Sequence, residues 1–155
     1  MAITPNTTFT AGNVLTAAQM NRLPWGVMAY ASRTSNQTGV SAVTDVTGLS
    51  VTFTANSTRY YRTTVFVSNL LQITSDGYAT MSITDGSNVQ KQSGTNYKVV
   101  AEGNGENPMV LVLIETGLSG STTRKARLTT SAGTVETRAG TTNPAFIVVE
   151  DIGEA

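Results

Sequence analysis

The stretch Leu49-Ser-Val-Thr-Phe-Thr54 decides the fold class, because apolar and hydroxyl side chains alternate along its whole length. Successive side chains of an extended strand point to opposite faces, so this alternation predicts a strand with one face buried. A longer stretch, Tyr60-Tyr-Arg-Thr-Thr-Val-Phe-Val67, repeats the period of two and carries apolar side chains on parts of both faces. Both stretches favour a pleated sheet over a helix.

Further strand patterns follow toward the C-terminus. Asp85-Gly86 separates two short patterns, 78–84 and 87–93, and predicts a hairpin because glycine tolerates a positive φ. The apolar run Met109–Glu115 predicts a fully buried central strand.

The last third of the chain continues in the same way. Arg124–Leu128 and Thr134–Arg138 are expected to form an exposed pair around Ala132-Gly133, and Ala145–Val149 predicts a last core strand. Roughly nine candidate strands, with turn residues between them, predict an all-β fold: a jelly-roll-like β-sandwich.

The first 25 residues differ from the rest of the chain. Thr16-Ala-Ala-Gln19 has the pattern of a capping box, and Leu15 with Met20 forms the matching hydrophobic staple, so a short helix is expected to begin here. Pro24 disfavours helical geometry at Leu23 and ends the helix. We expect two parts: an N-terminal attachment arm over residues 1–25 and a β-sandwich domain over 26–155.

A helix this short is marginal alone in water, so its apolar side chains must pack on something. They can fold back onto their own domain or dock on another subunit. The polar segment from residue 2 to residue 13 has no evident place in a sandwich core, which favours docking.

Composition excludes several kinds of chemistry. The chain has 155 residues, enough for one domain with a core of its own. It contains no cysteine and no histidine, so disulfides, thiolate nucleophiles, His/Cys zinc sites and Ser-His-Asp triads are excluded. Ten basic residues balance ten acidic ones, which disfavours nucleic acid and anionic membranes as partners. Neither a signal peptide nor a membrane span is expected, and no cofactor or metal is predicted.

Carboxylates are the remaining acid–base groups. Asp76 and Asp85 precede glycines and fit turns, whereas the C-terminal group of Glu150, Asp151 and Glu154 is interpreted as a solvated acidic tail. A glycosidase-like pair would have to come from the group formed by Glu102, Glu106 and Glu115. We expect no enzyme.

Two further groups of side chains could contact a partner. Arg124, Lys125 and Arg127 form a basic cluster on an expected edge strand, where charge guards against unwanted strand pairing; contact with a carbohydrate or an acidic partner is the alternative. Aromatic side chains could stack on sugar rings or pack in the core: Trp25, Tyr60, Tyr61, Tyr78 and Tyr97. Trp25, at the junction of arm and sandwich, is interpreted as an anchor for the arm.

Four segments resemble proteins of tailed-bacteriophage virions. The segment from Phe9 to Gly26 resembles the opening arm of many such proteins, and the ending from Asn143 to Gly153 is similar to that of small β-rich phage structural proteins. Asn36-Gln-Thr-Gly39 and the segment 45–53 match the first strands of the same group. The resemblance implies a non-enzymatic virion protein, used in symmetric copies, whose arm is the attachment element. The partner-binding residues it implies are Phe9, Val14, Leu15, Met20, Leu23 and Trp25.

The function expected from this resemblance is capsid decoration. The protein would be made in the host cytoplasm and would then bind the major capsid protein, or another virion protein, as a homotrimer. The arm motif does not separate head from tail, so a tail or fibre component that binds a host glycan is the alternative. A carbohydrate-active enzyme is a more distant alternative.

Overall fold

The computed structural model describes residues 14, 16–72, 76–98 and 107–155. Within these residues the chain forms one short helix, α1 (Ala17–Asn21), and ten strands. The strands are β1 (Gly26–Arg33), β2 (Gln37–Val40), β3 (Thr44–Ala55), β4 (Arg59–Gln72), β5 (Gly77–Asp85), β6 (Gln90–Lys98), β7 (Asn107–Glu115), β8 (Gly120–Thr130), β9 (Val135–Arg138) and β10 (Ala145–Glu154).

The strands form two antiparallel sheets. In the first sheet the order is β1-β10-β4, with β7 on the other side of β4 and the short strands β9 and β2 continuing beyond the end of β10. In the second sheet the order is β3-β8-β5-β6. The long strands therefore form two four-stranded layers, β1-β10-β4-β7 and β3-β8-β5-β6, which is the arrangement of a jelly roll. The predicted all-β sandwich is confirmed.

The core lies between the two sheets and is built by the alternation seen in the sequence. In β3 the inward side chains are Val46, Leu49, Val51, Phe53 and Ala55, all buried. Gly48 takes a positive φ of 83° within β3, and the pairing with β8 shifts register there. Facing β3, the buried Tyr61 of β4 places its ring 5.1 Å from that of Phe53.

The predicted hairpin is present, but its geometry differs in one respect. Asp85 and Val89 are joined by a backbone hydrogen bond, and β5 and β6 pair on either side of this turn. The residue with positive φ is Asn88, at 69°, and not Gly86. Asparagine is one of the few other residues that adopt this conformation readily.

Three sequence interpretations are wrong. First, within the described residues β7 pairs as a strand with β4 alone, so it is an edge strand of its sheet and not a central one. Second, β8 and β9 are not an exposed pair: β8 lies inside the second sheet, whereas β9 pairs with β4 and β2 in the first. Third, the C-terminal carboxylates belong to β10, and Asp151 among them is buried.

Candidate functional site

In the described part of the arm, α1 begins at the predicted capping box. The Gln19 N–H donates to Thr16 Oγ1 at 3.2 Å, and the Thr16 N–H donates to Gln19 Oε1 at 2.8 Å. These two bonds satisfy backbone donors that the first turn of a helix leaves without partners. The capping box is confirmed, and α1 ends at Asn21, three residues before Pro24.

One arginine of the sandwich holds the end of this segment. The Arg59 side chain donates to the backbone carbonyls of Asn21 and Leu23, the latter at 2.6 Å. Its Cζ lies 4.3 Å from the centroid of the Trp25 ring, within the range of a cation–π contact. We call Arg59, Asp151 and Trp25 the arm anchor.

Asp151 completes the arm anchor. Arg59 Nε donates to Asp151 Oδ2 at 2.7 Å, and a second guanidinium nitrogen donates to Oδ1, so the pair is bidentate. Oδ1 also accepts from the backbone N–H groups of Trp25, at 3.3 Å, and Gly153, at 3.0 Å. The Asp151 carboxylate thus joins β10, β4 and the start of β1 to the exit of the arm.

The electrostatics of this site favour the ionised pair. The side chains of Arg59 and Asp151 are 3% and 0% exposed. Burial acts to raise the pKa of Asp151, but the hydrogen bonds from Arg59, Trp25 and Gly153 and the charge of Arg59 outweigh it and hold this pKa below its usual value. Because both charges are desolvated, removing one would leave the other buried without a partner.

The described apolar side chains of the arm are largely open to solvent. Met20, Leu23 and Trp25 are between 47% and 53% exposed, and Val14 is almost fully exposed. Phe9 and Leu15 lie outside the described residues, as does the staple that Leu15 would form with Met20. An exposed ion pair, Arg22 with Glu154 at 3.0 Å, forms a second link between the arm and β10.

Sequence reasoning missed Arg59 and assigned Asp151 to a solvated tail. One signal could have found Asp151: Ala145, Ile147 and Val149 alternate as core residues, and Asp151 is the next position on the same face. A buried carboxylate is stabilised by a cation beside it, and Arg59, buried at the start of β4, supplies that charge.

The predicted basic cluster is not at an edge. Arg124 is buried and forms a bidentate pair with Glu115, at 2.8 and 2.9 Å. Lys125 and Arg127 reach Asp45 on the neighbouring strand β3, at 2.8 and 2.7 Å. Since β8 is an interior strand, these charges do not guard a sheet edge.

The structure describes only part of the predicted acidic and aromatic candidates. Glu102 and Glu106 lie outside the described residues, and Glu115 is engaged by Arg124. Tyr61 belongs to the core, where its hydroxyl accepts the Asn56 N–H at 2.8 Å. Tyr78 is about half exposed on the second sheet.

Comparison with models of known protein families gave no match, and a search of curated proteins likewise returned no similar sequence. Among the described residues no helix has the length and apolar character needed to span a membrane.

Proposed function

We propose that this chain is a non-enzymatic structural protein of a tailed-bacteriophage virion, a decoration protein that docks on the capsid lattice through its N-terminal arm. One observation carries the proposal: Arg59 bonds the backbone of the arm and contacts the Trp25 ring, and yet the side chains of Met20, Leu23 and Trp25 remain about half exposed. Apolar side chains on a backbone that is held in place are suited to burial against a partner, because less conformational entropy is lost on binding.

The mechanism requires no chemistry. A protein that binds the assembled shell, and not its free subunits, stabilises the shell by mass action. The sandwich projects from the lattice, while the arm extends along it and contacts the major capsid protein. Jelly rolls are common in virus capsids, which agrees with this assignment but is an argument from the fold alone.

The test is the amount of this protein on purified particles. Particles are produced from the genome that encodes the chain, with either the natural gene or one carrying Met20→Asp and Leu23→Asp. Quantitative mass spectrometry then gives copies per particle. We expect at least a tenfold loss, since a charge buried without a partner at a contact costs several kcal/mol.

The matched control is Val43→Asp, which places the same charge at an exposed apolar position outside the arm. This variant should retain full occupancy. Absence of the natural protein from purified particles, or equal occupancy of the arm variant, would contradict the proposal. Cryo-EM of the same particles distinguishes the two locations: density on the head lattice supports decoration, whereas density confined to the tail would replace it with host attachment.

A further inference from the structure

The outer face of the first sheet is mostly apolar. Outward-facing residues of its four long strands lie in register: Ser32, Phe146, Phe66 and Val110 form one row, and Tyr30, Val148, Thr64 and Val112 form the next. Five apolar side chains on this surface are between 44% and 64% exposed. We call the following set the apolar face: Val27, Tyr30, Phe66, Val110, Val112, Ile114, Phe146 and Val148.

Aromatic contacts give this surface a defined shape. The ring of Phe146 lies 6.1 Å from that of Tyr30 and 5.3 Å from that of Phe66, measured between centroids. The three rings thus form a continuous aromatic cluster across β1, β10 and β4. Side chains that pack on one another in this way have few alternative positions, which lowers the entropic cost of covering them.

The outer face of the second sheet provides an internal comparison. There the outward positions carry hydroxyls and charges: Thr52 and Thr123 are hydrogen-bonded at 2.8 Å, and Thr80 and Thr95 at 3.0 Å. This is the alternation expected where a sheet faces water. Because both sheets cover the same core, the sandwich itself does not require the apolar side chains on the outside of the first sheet.

We infer that a second copy of this chain packs on the apolar face. The face carries both signs of charge, since Arg62 and Glu150 form an ion pair at 2.9 Å beside Ile114. A surface with a cation and an anion side by side is complementary to itself, as contacts between identical copies require. The chain has no net charge, so two copies do not repel each other at long range.

The size of the face agrees with this assignment. Four strands at a spacing of about 4.8 Å, with three outward rows, give a mostly apolar surface of roughly 400 Å², comparable to the largest apolar patches on soluble proteins, which are often functional. A stable interface buries about 800 Å² per partner, so the apolar face would form the centre and its polar surroundings the rim.

Residues 1–13 of the same chain are a poorer match for this surface. Their large apolar side chains are only Met1, Ile3 and Phe9, and none of these residues has a charged side chain. Such a segment supplies too few apolar groups for the eight positions of the face, and no side-chain charge to complement Arg62 and Glu150. The inference does not depend on the proposed function, because it concerns the purified protein in solution.

The test is the mass of the purified full-length chain by light scattering, over a wide range of concentration. We expect a multiple of 16.3 kDa for the natural protein and 16.3 kDa for Val112→Asp, which places a charge in the middle of the face. The matched control is Thr54→Asp, at an exposed outward position on the edge strand β3 of the second sheet, which should keep the natural mass.

Ile114→Lys is the second variant, in case Val112→Asp fails to fold by circular dichroism; it should also be monomeric. A natural protein of 16.3 kDa at every concentration would overturn the inference. So would folded face variants that keep the natural mass. A monomeric natural protein that associates only after residues 1–13 are removed would instead assign the face to the arm.

Discussion

At the scale of single residues, the position of the arm depends on Arg59. Four of its five N–H donors are shared between the carboxylate of Asp151 and two carbonyls of the arm, a division that the planar guanidinium allows and an ammonium group does not. One buried charge therefore joins the sandwich to the segment proposed to bind a partner.

Replacement of Asp151 by asparagine should destabilise the whole domain. The variant leaves the Arg59 charge buried without an anion, and breaking such a pair lowers the free energy of unfolding by about 3–5 kcal/mol. Urea denaturation measures the difference. The matched control is Glu154→Gln, which breaks the exposed pair with Arg22 and should cost less than about 1 kcal/mol. Equal losses in the two variants would show that burial of the Arg59–Asp151 pair has no special effect.

Gly94 is required for the close approach of two sheets. A Cβ at this position would lie 2.7 Å from Leu111 Cδ2 across the gap between β6 and β7. Gly94→Ala should therefore cost about 1–3 kcal/mol through overpacking, and the shorter side chain of Leu111→Val should offset part of that cost in the double variant. Gly140→Ala is the control, because the added Cβ would meet nothing within 4 Å. Additive effects of the two substitutions would argue against a clash.

At the scale of elements, α1 is a short helix whose ends are both held. The capping box holds its beginning, and Arg59 bonds the carbonyl of its last residue, Asn21. These contacts stabilise a helix that would be too short to persist alone in water. The backbone that carries the exposed Met20 and Leu23 is thereby held in place.

Thr16→Ala should loosen α1 without unfolding the sandwich. Loss of an N-cap costs about 0.5–2 kcal/mol of helix stability, and here the loss stays local since Thr16 is exposed. Hydrogen exchange of residues 17–21 should become faster while the urea midpoint of the domain stays unchanged. Thr16→Ser retains the hydroxyl and should exchange at the natural rate. A lower midpoint for the alanine variant would instead show that α1 contributes to the core.

Two truncations should separate the arm from its anchor. A chain that starts at residue 14 keeps every contact that the structure describes, so it is the reference. A chain that starts at residue 26 loses the two carbonyls bonded to Arg59 and the Trp25 ring, and it should be less stable by about 1.5–3 kcal/mol. Thermal denaturation compares them. Equal stability of the two truncated chains would show that the contacts between Arg59 and the arm do not stabilise the domain.

At the scale of the whole molecule, stability should be flat near neutral pH and fall in acid. With no histidine or cysteine side chain, little titrates between about pH 5 and pH 8. The hydrogen bond from Lys125 lowers the pKa of Asp45, and the backbone bond from Val89 lowers that of Asp85. The pKa of Asp151 is also lowered, as described above.

The direction in which stability changes with pH follows from these lowered pKa values. A carboxyl whose folded pKa lies below its unfolded value of about 3.9 binds its proton more tightly in the unfolded chain, so it stabilises the fold above that pH and ceases to do so as the pH falls through the folded pKa. Urea denaturation from pH 8 to pH 2 should show a plateau and then a decline below about pH 4. Asp151→Asn should flatten part of that decline. A maximum of stability in strong acid would contradict the assignment of these three carboxylates.

The sequence by itself determined the features that depend on neighbours along the chain. The period of two in β3 and β4, the hairpin at Asp85 and the capping box at Thr16 each require contacts within a few residues, and each is present. The all-β class follows from the same local pattern.

Only the tertiary structure decided which strands are neighbours and which faces remain open. The apolar run of β7 would suit a central strand equally well, yet it lies at an edge with Val110, Val112 and Ile114 outward. Asp151 lies in an acidic C-terminal sequence that is typical of a solvated tail. It is nevertheless buried in the arm anchor, because β10 brings it beside Arg59, which is 92 residues away in sequence. The physical reason is the same in both cases. The local sequence indicates that a side chain needs a partner, but the order of the strands determines which residue that partner is.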